Sequence, residues 1–101
     1  MNTTRVELKA PSPERISQTL VQGFLYACTD SLGLSRGLSV VAYEFPDERV
    51  VGFYMIPDAH MSVHCIDGEL LVELFTAIPV DLDLLRDFTA EYFNLPQMEM
   101  N

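Results

Sequence analysis

Basic side chains are scarce in this chain of 101 residues: six Lys and Arg stand against 15 Asp and Glu, which gives a formal net charge of −9. Contact with nucleic acid phosphates or with anionic lipid needs clustered Lys or Arg, so the composition argues against both kinds of partner. A cationic partner is more compatible with this charge. The simpler interpretation is that the acidity confers solubility.

The sequence has only two cysteines, Cys28 and Cys65, and it has no long apolar run. These cysteines can form one disulfide, but two cysteines without a signal peptide favour reduced, buried, intracellular thiols. No apolar stretch reaches the roughly 18 residues that span a bilayer, and the N-terminus lacks the continuous apolar segment of a secretion signal. We therefore expect a soluble cytoplasmic protein that does not contact membranes.

Common catalytic motifs are also missing. There is no C-x-x-C pair, and Gly33 and Gly37 do not form a phosphate-binding loop. Apolar residues, in contrast, make up 49% of the chain, which is enough for a hydrophobic core. We expect one domain over residues 1–101, with an oligomer interface adding to a core of modest size.

The first half of the chain predicts a strand, a helix and a hairpin. RVELKA alternates apolar and charged residues, as a half-buried strand does. Ser12 and Pro13 then predict the N-cap and first residue of a helix that ends at Gly33. The apolar stripe of this helix would consist of Ile16, Leu20, Phe24, Ala27 and Cys28. LSVVAYEF and VVGFYMI flank turn residues and predict an antiparallel hairpin.

The second half predicts another hairpin and another helix. HMSVHCI and ELLVELF flank Asp67-Gly68, a strong signal for a two-residue turn. Asp81 can cap a helix that Pro96 closes, and QMEM can add a short last strand. The apolar face of this helix would carry Leu85, Phe88 and Tyr92, with Leu84 near its edge. The order β-α-β-β-β-β-α, with an optional last strand, predicts an α+β two-layer sandwich with both helices on one face of an antiparallel sheet.

A two-residue turn at Asp67-Gly68 determines which side chains of the second hairpin share a face. It pairs Cys65 with Leu70 and places Ser62 opposite Glu73. The apolar face would then consist of Met61, Val63, Cys65, Leu70, Val72 and Leu74. The opposite, mixed face would carry His60, Ser62, His64 and Glu73 beside Leu71 and Phe75.

A serine, a histidine and a carboxylate on one face suggest a nucleophile with its base. However, Ser62 and His64 are two positions apart on one strand, so their Cβ atoms lie roughly 6.5–7 Å apart, and a flat sheet offers no evident oxyanion hole. His60 and His64 stand roughly 13 Å apart, too far to share a metal. The residues alone therefore favour solvated polar groups on an open or interface-covered face.

The order of elements and the second hairpin resemble the bacterial and archaeal S-adenosylmethionine decarboxylases, small pyruvoyl enzymes of polyamine synthesis. In that family a hydrophobic strand ends in Glu-Ser-His and continues to a Ser or Thr and a second His, and another strand ends in Asp-Leu-Phe-Thr-Cys. This chain has VVGFYMIPDAHMSVH and VELFTA, and the similarity covers roughly residues 5–94. The matching residues are His60, Ser62, His64, Leu74, Phe75 and Thr76, with Asp58 for the Glu and Glu73 for the Asp.

The resemblance also implies that the reactive groups of the family are missing here. The serine that becomes the pyruvoyl group after self-cleavage corresponds to Ala59, and the cysteine that donates a proton corresponds to Ala77. A serine that helps processing corresponds to Val51, and only His64 matches a processing residue of the family. Since a methyl group can neither form a pyruvoyl nor donate a proton, no pyruvoyl cofactor and no decarboxylation are expected. A longer Trp-Pro loop of the family is replaced by CIDGE.

Three functional hypotheses follow. The first is a non-catalytic homologue, dimeric because the family is oligomeric, that binds S-adenosylmethionine, a polyamine or a decarboxylase partner subunit. The second is an enzyme of different chemistry on the same scaffold, acting on S-adenosylmethionine or an amine. The third is a small oligomeric structural protein without a ligand. The candidate ligand-binding residues are Tyr54, Asp58, His60, Ser62, His64, Glu73 and Phe75, and no metal is expected.

Overall fold

The computed structural model of the protein describes residues 3–12, 16–37, 39–96 and 98–101. Six strands and two helices lie in this part of the chain. In order they are β1 (Thr4–Pro11), α1 (Gln18–Ser31), β2 (Val40–Glu44), β3 (Val50–Ile56), β4 (Ala59–Ile66), β5 (Glu69–Thr76), α2 (Leu82–Tyr92) and β6 (Glu99–Met100). This is the order that the hydrophobic pattern predicts, including the short last strand.

The strands form one open antiparallel sheet in the order β2-β3-β4-β5-β1-β6. Strands β2 to β5 follow one another as a meander, and β1 then adds to the far side of β5, with Leu8 opposite Val72. The α+β class predicted from the sequence is therefore confirmed.

The register of the β4–β5 hairpin is also the predicted one. Cys65 lies opposite Leu70, and Ser62 lies opposite Glu73. The two turn residues, Asp67 and Gly68, have φ of 53° and 75°. Both central positions of a type I′ turn require positive φ, which is why this dipeptide sets the pairing.

Both helices pack against the face of the sheet that carries the apolar half of the hairpin. Their buried residues and those of this sheet face form a single hydrophobic cluster. Helix α1 approaches β3 so closely that a Cβ built on Gly52 would lie 2.3 Å from a methyl carbon of Val21. A glycine is therefore required there for the helix to lie this near the sheet. The opposite side of the sheet, called the open face below, is not covered by either helix.

Helix α1 begins later than predicted, and its buried stripe differs. Its N-cap is Ser17, whose hydroxyl accepts a hydrogen bond from the Leu20 amide at 3.1 Å, so Ser12 does not cap it, and Pro13 lies outside the described residues. Leu20 is exposed. It lies about 100° around the helix from Val21, which is fully buried. Ile16 is buried but precedes the helix. The buried residues of the helix are Val21, Phe24, Leu25, Cys28 and Thr29.

Glycine ends α1 as predicted. Gly33 has φ of +74°, and the amide of Leu34 donates to the carbonyl of Thr29 at 3.0 Å. This is the hydrogen-bond pattern of a helix that stops in the left-handed region.

Helix α2 begins as predicted and ends earlier. The Asp81 carboxylate caps it by accepting a hydrogen bond from the Leu84 amide at 3.0 Å. The helix ends at Tyr92, before Pro96, because Asn94 takes up a left-handed φ of 55°. The prediction that Pro96 ends the helix is therefore wrong. On the predicted apolar face, Leu85 is fully buried, Phe88 and Tyr92 are half-buried, and Leu84 at the edge is exposed.

The two cysteines are free and buried, and their burial agrees with the sequence prediction. Burial raises the pKa of Cys28 to about 12, although a hydrogen bond with Thr89 acts in the opposite direction. Burial also raises the pKa of Cys65 to about 11. Because the thiolate is the reactive form, neither side chain is an activated nucleophile.

Alkaline solution should destabilise the protein through these thiols. A thiol with a raised pKa in the folded state contributes its full stability below its unfolded pKa of about 8.5 and loses it as the pH approaches the folded value. For Cys65 the loss should occur between about pH 8.5 and pH 11. Urea unfolding of the wild type and Cys65→Ala across this range measures the difference. Parallel pH profiles for the two proteins would contradict the prediction.

Candidate functional site

The half of the open face that β2, β3 and β4 form, with β2 at the edge of the sheet, has no charged side chains. Its residues on β2, β3 and β4, called the uncharged patch below, are Val41, Tyr43, Val51, Phe53, Met55, His60, Ser62, His64 and Ile66. None of these nine is Asp, Glu, Lys or Arg, although charged residues make up 21% of the chain. Four of them are large apolar side chains that are 38–65% exposed: Val41, Tyr43, Phe53 and Met55. Contiguous exposed apolar surface is typical of interaction sites.

A row of three stacked rings crosses this face. His60 on β4 lies between Phe53 on β3 and Phe75 on β5, with ring centroids 5.7 Å and 5.2 Å apart. The antiparallel registers cause this arrangement, since His60 is directly opposite Phe75 and is diagonal to Phe53, two residue pairs along the β3–β4 ladder. In both pairs the rings are stacked, so the faces of the three rings contact one another across the strands.

Charged residues enter the open face at β1. Arg5 donates hydrogen bonds to the carboxylates of Glu73 at 2.8 Å and Glu7 at 3.1 Å. The bond to Glu73, followed by the charge of Glu7, raises the pKa of Arg5. Such an exposed ion pair adds little stability, because water screens it. Its consequence for binding is that Glu73 is already engaged by a cation.

Five predicted ligand-binding residues come together in a shallow depression of about 250 Å³ on the open face. They are His60, Ser62, His64, Glu73 and Phe75, and Arg5, Phe53 and Leu74 complete the lining. The two remaining candidates lie elsewhere. Asp58 is in the exposed turn between β3 and β4.

Tyr54 lies on the opposite side of the sheet from the depression. It pairs with Met61, a residue of the apolar face, and it is only 1% exposed. Its hydroxyl accepts a hydrogen bond from the Gly37 amide at 2.9 Å. Tyr54 therefore anchors the segment that leads into β2 and is not available to a ligand on the open face.

The nucleophile-and-base arrangement considered from the sequence does not form. In the part of the chain that the structure describes, no hydrogen bond joins Ser62 to His64 or to Glu73. Glu73 instead accepts its hydrogen bond from Arg5. Ser62 therefore lacks an activating base.

Asp58, Ala59 and Ala77, which the sequence resemblance aligns with residues of the decarboxylase site, are adjacent at one end of the sheet. The Ala77 amide donates to the carbonyl of Asp58 at 2.8 Å, and Ala59 pairs with Thr76. The Thr76 hydroxyl donates to the carbonyl of Ile78 and accepts from its amide, so its hydrogen bonds are local. Ala59 is 7% exposed on the helix-covered side.

His64 lies far from this group. It is five residues along β4 from Ala59, a rise of roughly 16 Å, and it points to the open face. Its cross-strand neighbour is Val51, the residue that corresponds to the processing serine of the family. An apolar side chain therefore stands where the resemblance places a partner for this histidine.

The exposed apolar residues of β2 and β3 were not predicted as site residues. A signal for them is present, because VVAYEF and VVGFYMI carry apolar residues at both odd and even positions. Strands that read as continuous apolar runs are typical of sheets covered on both faces. The sequence therefore already indicates that more than the helix-covered face is suited to contact.

A second depression, of about 430 Å³, lies at the other end of the β4–β5 hairpin. Four carboxylate residues, Asp47, Glu48, Asp67 and Glu69, line it together with Cys65 and Arg49. Among the described residues, no group of three or more His, Cys, Asp or Glu side chains is placed to hold a metal ion. Within the same residues, neither helix has the length and apolar character needed to cross a bilayer.

No protein-family model matches this chain, and a search of curated proteins finds no significant match. The fold defines the class of protein: an α+β chain with two helices on one side of a six-stranded antiparallel sheet, whose other side carries the uncharged patch and, on β5 and β1, charged residues.

Proposed function

We propose that this protein is a non-catalytic homologue of the S-adenosylmethionine decarboxylases, and that it works by binding a second sheet of the same fold on its open face. The single observation that carries the binding part is the uncharged patch, with its four exposed apolar side chains. The family part rests on the sequence resemblance of the β3 to β5 region.

The absence of decarboxylation is supported by the two alanines. Ala77 lies beside Ala59, because its amide donates a hydrogen bond to the carbonyl of Asp58, the residue before Ala59. Both alanine side chains are methyl groups. Ser62 is no substitute for the missing serine. It lies three residues from Ala59 and therefore on the other side of the sheet.

The purified protein should remain one uncleaved chain. Cleavage before residue 59 requires a hydroxyl that attacks the preceding carbonyl, and Ala59 has none. Mass spectrometry of the intact protein should give a single species at the mass of the whole chain. A fragment that begins at residue 59 with a blocked terminus would contradict the prediction.

The enzyme alternative has a separate test. Incubation with S-adenosylmethionine should yield no carbon dioxide, methylthioadenosine or lactone, because Ser62, His64 and Glu73 form no hydrogen-bonded catalytic group. Any of these products in amounts that scale with the protein would favour an enzyme of different chemistry.

A second sheet is a suitable occupant for physical reasons. Two sheets pack face to face at about 10 Å, and the strand spacing and rise give the open face about 500–700 Å². Two such faces would bury about 1,000–1,400 Å² in total, the lower end of specific interfaces. The part of this area that covers the uncharged patch removes no water from Lys, Arg, Asp or Glu, whereas the part over β5 and β1 also covers charged side chains such as Arg5 and Glu73. We propose a second copy of this chain, because it brings the same patch.

A polyamine has less support as the ligand of this face. Cationic amines need free carboxylates, whereas the uncharged patch has none and the neighbouring Glu73 is engaged by Arg5. A nearby cation such as Arg5 also repels a polycation.

The test is sedimentation equilibrium of the purified chain at micromolar concentration, which should show a dimer. The alternative result is a chain that alone stays monomeric and co-purifies with a pyruvoyl-dependent decarboxylase. That result would show that the partner on the open face is the decarboxylase subunit and not a second copy. Saturable spermidine binding in calorimetry, lost at high salt, together with a monomeric chain would overturn the proposed surface in favour of a polyamine site.

A further inference from the structure

We infer that the outer edge of β2 is a second interface, at which two copies of this chain pair their β2 strands antiparallel and join their sheets side by side. This interface is separate from the open face, because it uses the edge of the sheet. β2 stands at one end of the strand order, so it has a neighbouring strand, β3, on one side only. Such a strand presents backbone N–H and C=O groups with which another chain can pair.

The β2–β3 ladder shows which backbone groups of β2 point to this edge. The Phe45 amide donates to the carbonyl of the residue before β3 at 2.8 Å, so it points towards β3. Pairs that exchange hydrogen bonds alternate along an antiparallel ladder with pairs that do not, so the amides and carbonyls of Val40, Ala42 and Glu44 point outward. The Val40 amide has this direction, since it donates to the Tyr26 hydroxyl of α1 at 3.1 Å.

The backbone of Ala42 is the unpaired part of this edge. Within residues 3–12, 16–37, 39–96 and 98–101, neither its amide nor its carbonyl has a hydrogen-bond partner. β2 contains no lysine or proline, the residues with which soluble proteins commonly prevent the pairing of exposed edges. At the other end of the sheet, β6 has two residues and is too short to pair with much of a second strand. The edge of β2 is therefore the one suited to pairing.

A second copy of β2 has the right side chains for this edge. With a two-fold axis at Tyr43, each Ala42 amide donates to the Glu44 carbonyl of the other copy, and a carbonyl can accept two hydrogen bonds. On the open face, Tyr43 then lies opposite Tyr43 of the other copy, and Val41 lies opposite Phe45. Cross-strand pairs of aromatic and β-branched residues stabilise a ladder. Val41 and Tyr43 are 65% and 57% exposed in the single chain, so both have surface left to bury.

This register also fits the two ends of the strand. Val40 would lie opposite Pro46 of the other copy, and proline has no amide to donate. The Val40 amide is already held by Tyr26. The ladder therefore ends where both chains lack an available amide.

Charge favours the antiparallel arrangement. The turn after β2 carries Asp47 and Glu48, and the segment before β2 carries Arg36, whose side chain is 75% exposed. Antiparallel strands place the acidic turn of each copy beside the segment with Arg36 of the other. Parallel strands would bring the two acidic turns together, where they repel each other.

The charges beside the edge keep their partners within the chain. Asp47 binds Arg49 at 2.8 Å, and Arg36 binds Asp30 at 2.9 Å. The Glu44 carboxylate lies on the helix-covered side of β2 and accepts a hydrogen bond from the amide of the first residue of α1 at 3.3 Å. Pairing through the outward backbone groups leaves these contacts in place.

Sedimentation velocity of the whole chain tests this interface, and it should extend to about 1 mM because small interfaces are weak. The wild type should form species larger than the dimer of the open face. Ala42→Pro should weaken this further association about tenfold or more, because proline removes the outward amide and leaves the β2–β3 hydrogen bonds intact. Val40→Pro is the matched control, since it removes an outward amide that Tyr26 already holds, and it should associate as the wild type does. Circular dichroism checks that both variants fold.

Hydrogen exchange of the Ala42 amide gives a second measurement that needs no variant. The amide should exchange fast in dilute solution and more slowly as the concentration rises. An exchange rate that is the same at every concentration would contradict the pairing.

The outcomes separate this inference from the proposed function. A chain that never exceeds a dimer, with a dissociation constant that Ala42→Pro does not change, overturns the edge interface and leaves the open face in place. A dimer that Ala42→Pro weakens and Met55→Lys does not supports the edge interface and overturns the open-face proposal. Association beyond the dimer that persists unchanged in Ala42→Pro overturns the inference. A chain that is monomeric at every concentration overturns both.

Discussion

Replacing Phe24 with alanine should lower the free energy of unfolding by about 3–5 kcal/mol. The ring is fully buried on α1, and its centroid lies 4.7 Å from that of Phe93 and 5.3 Å from that of Tyr92. It also faces Phe88 on α2 at 6.2 Å. Loss of the ring would leave a cavity where the two helices meet, and the loss is a large fraction of the total stability of a domain of this size.

Denaturant unfolding measures this effect, and the same helix supplies a control. Leu20→Ala removes a side chain that is exposed on α1 and should cost less than about 1 kcal/mol. If Phe24→Ala and Leu20→Ala destabilised the protein equally, the placement of Phe24 at the junction of the helices would be wrong.

The double variant Val41→Lys and Met55→Lys should weaken dimerisation by about a hundredfold or more. Both side chains are 65% exposed on the uncharged patch, so the folded single chain can accommodate the lysines in water. In the proposed dimer, four ammonium groups would enter an interface without carboxylate partners, and each buried unpaired charge is strongly unfavourable. A hundredfold change corresponds to about 2.7 kcal/mol of association free energy.

A control for net charge is available on the same chain. Asp67→Asn with Glu91→Gln also raises the net charge by two, at exposed positions outside the uncharged patch. It should leave the dissociation constant unchanged or slightly lower, because two acidic chains repel each other less. Equal dissociation constants for the lysine variant and this control would show that the interface does not include the uncharged patch. Circular dichroism and thermal unfolding check that both variants fold.

The sequence predicted those parts of the fold that depend on local chemistry. The pairing of β4 with β5 follows from one turn, Asp67-Gly68, and from alternation on either side of it. The start of α1 was mistaken because Ser12 and Ser17 are both acceptable caps, and local pattern does not choose between them. The end of α2 was mistaken because Asn94, a residue other than glycine, takes the left-handed conformation.

The predicted ligand-binding residues of β4 and β5 do line the depression on the open face, whereas the predicted residue of β3, Tyr54, does not. Tyr54 does not share a face with His60, because the side on which it lies depends on the register of β3 against β4. The pairing of Ile56 with Ala59 across a two-residue turn places Tyr54 on the helix-covered side. The ion pair of Arg5 with Glu73 joins residues 68 positions apart. It exists because β1 lies beside β5, which no local pattern reveals.

The position of β1 in the sheet has a consequence for how the chain reaches this structure. Thr4 pairs with Thr76, so β1 precedes its partner strand β5 by most of the length of the chain. During synthesis the meander of β2 to β5 can begin to assemble as each strand emerges, whereas β1 has no edge to join until β5 is complete. Such long-range pairing slows folding, since a large loop must close first. The slowest folding step should therefore be the docking of the first strand, and the edge of β5 stays available to other chains until that step occurs.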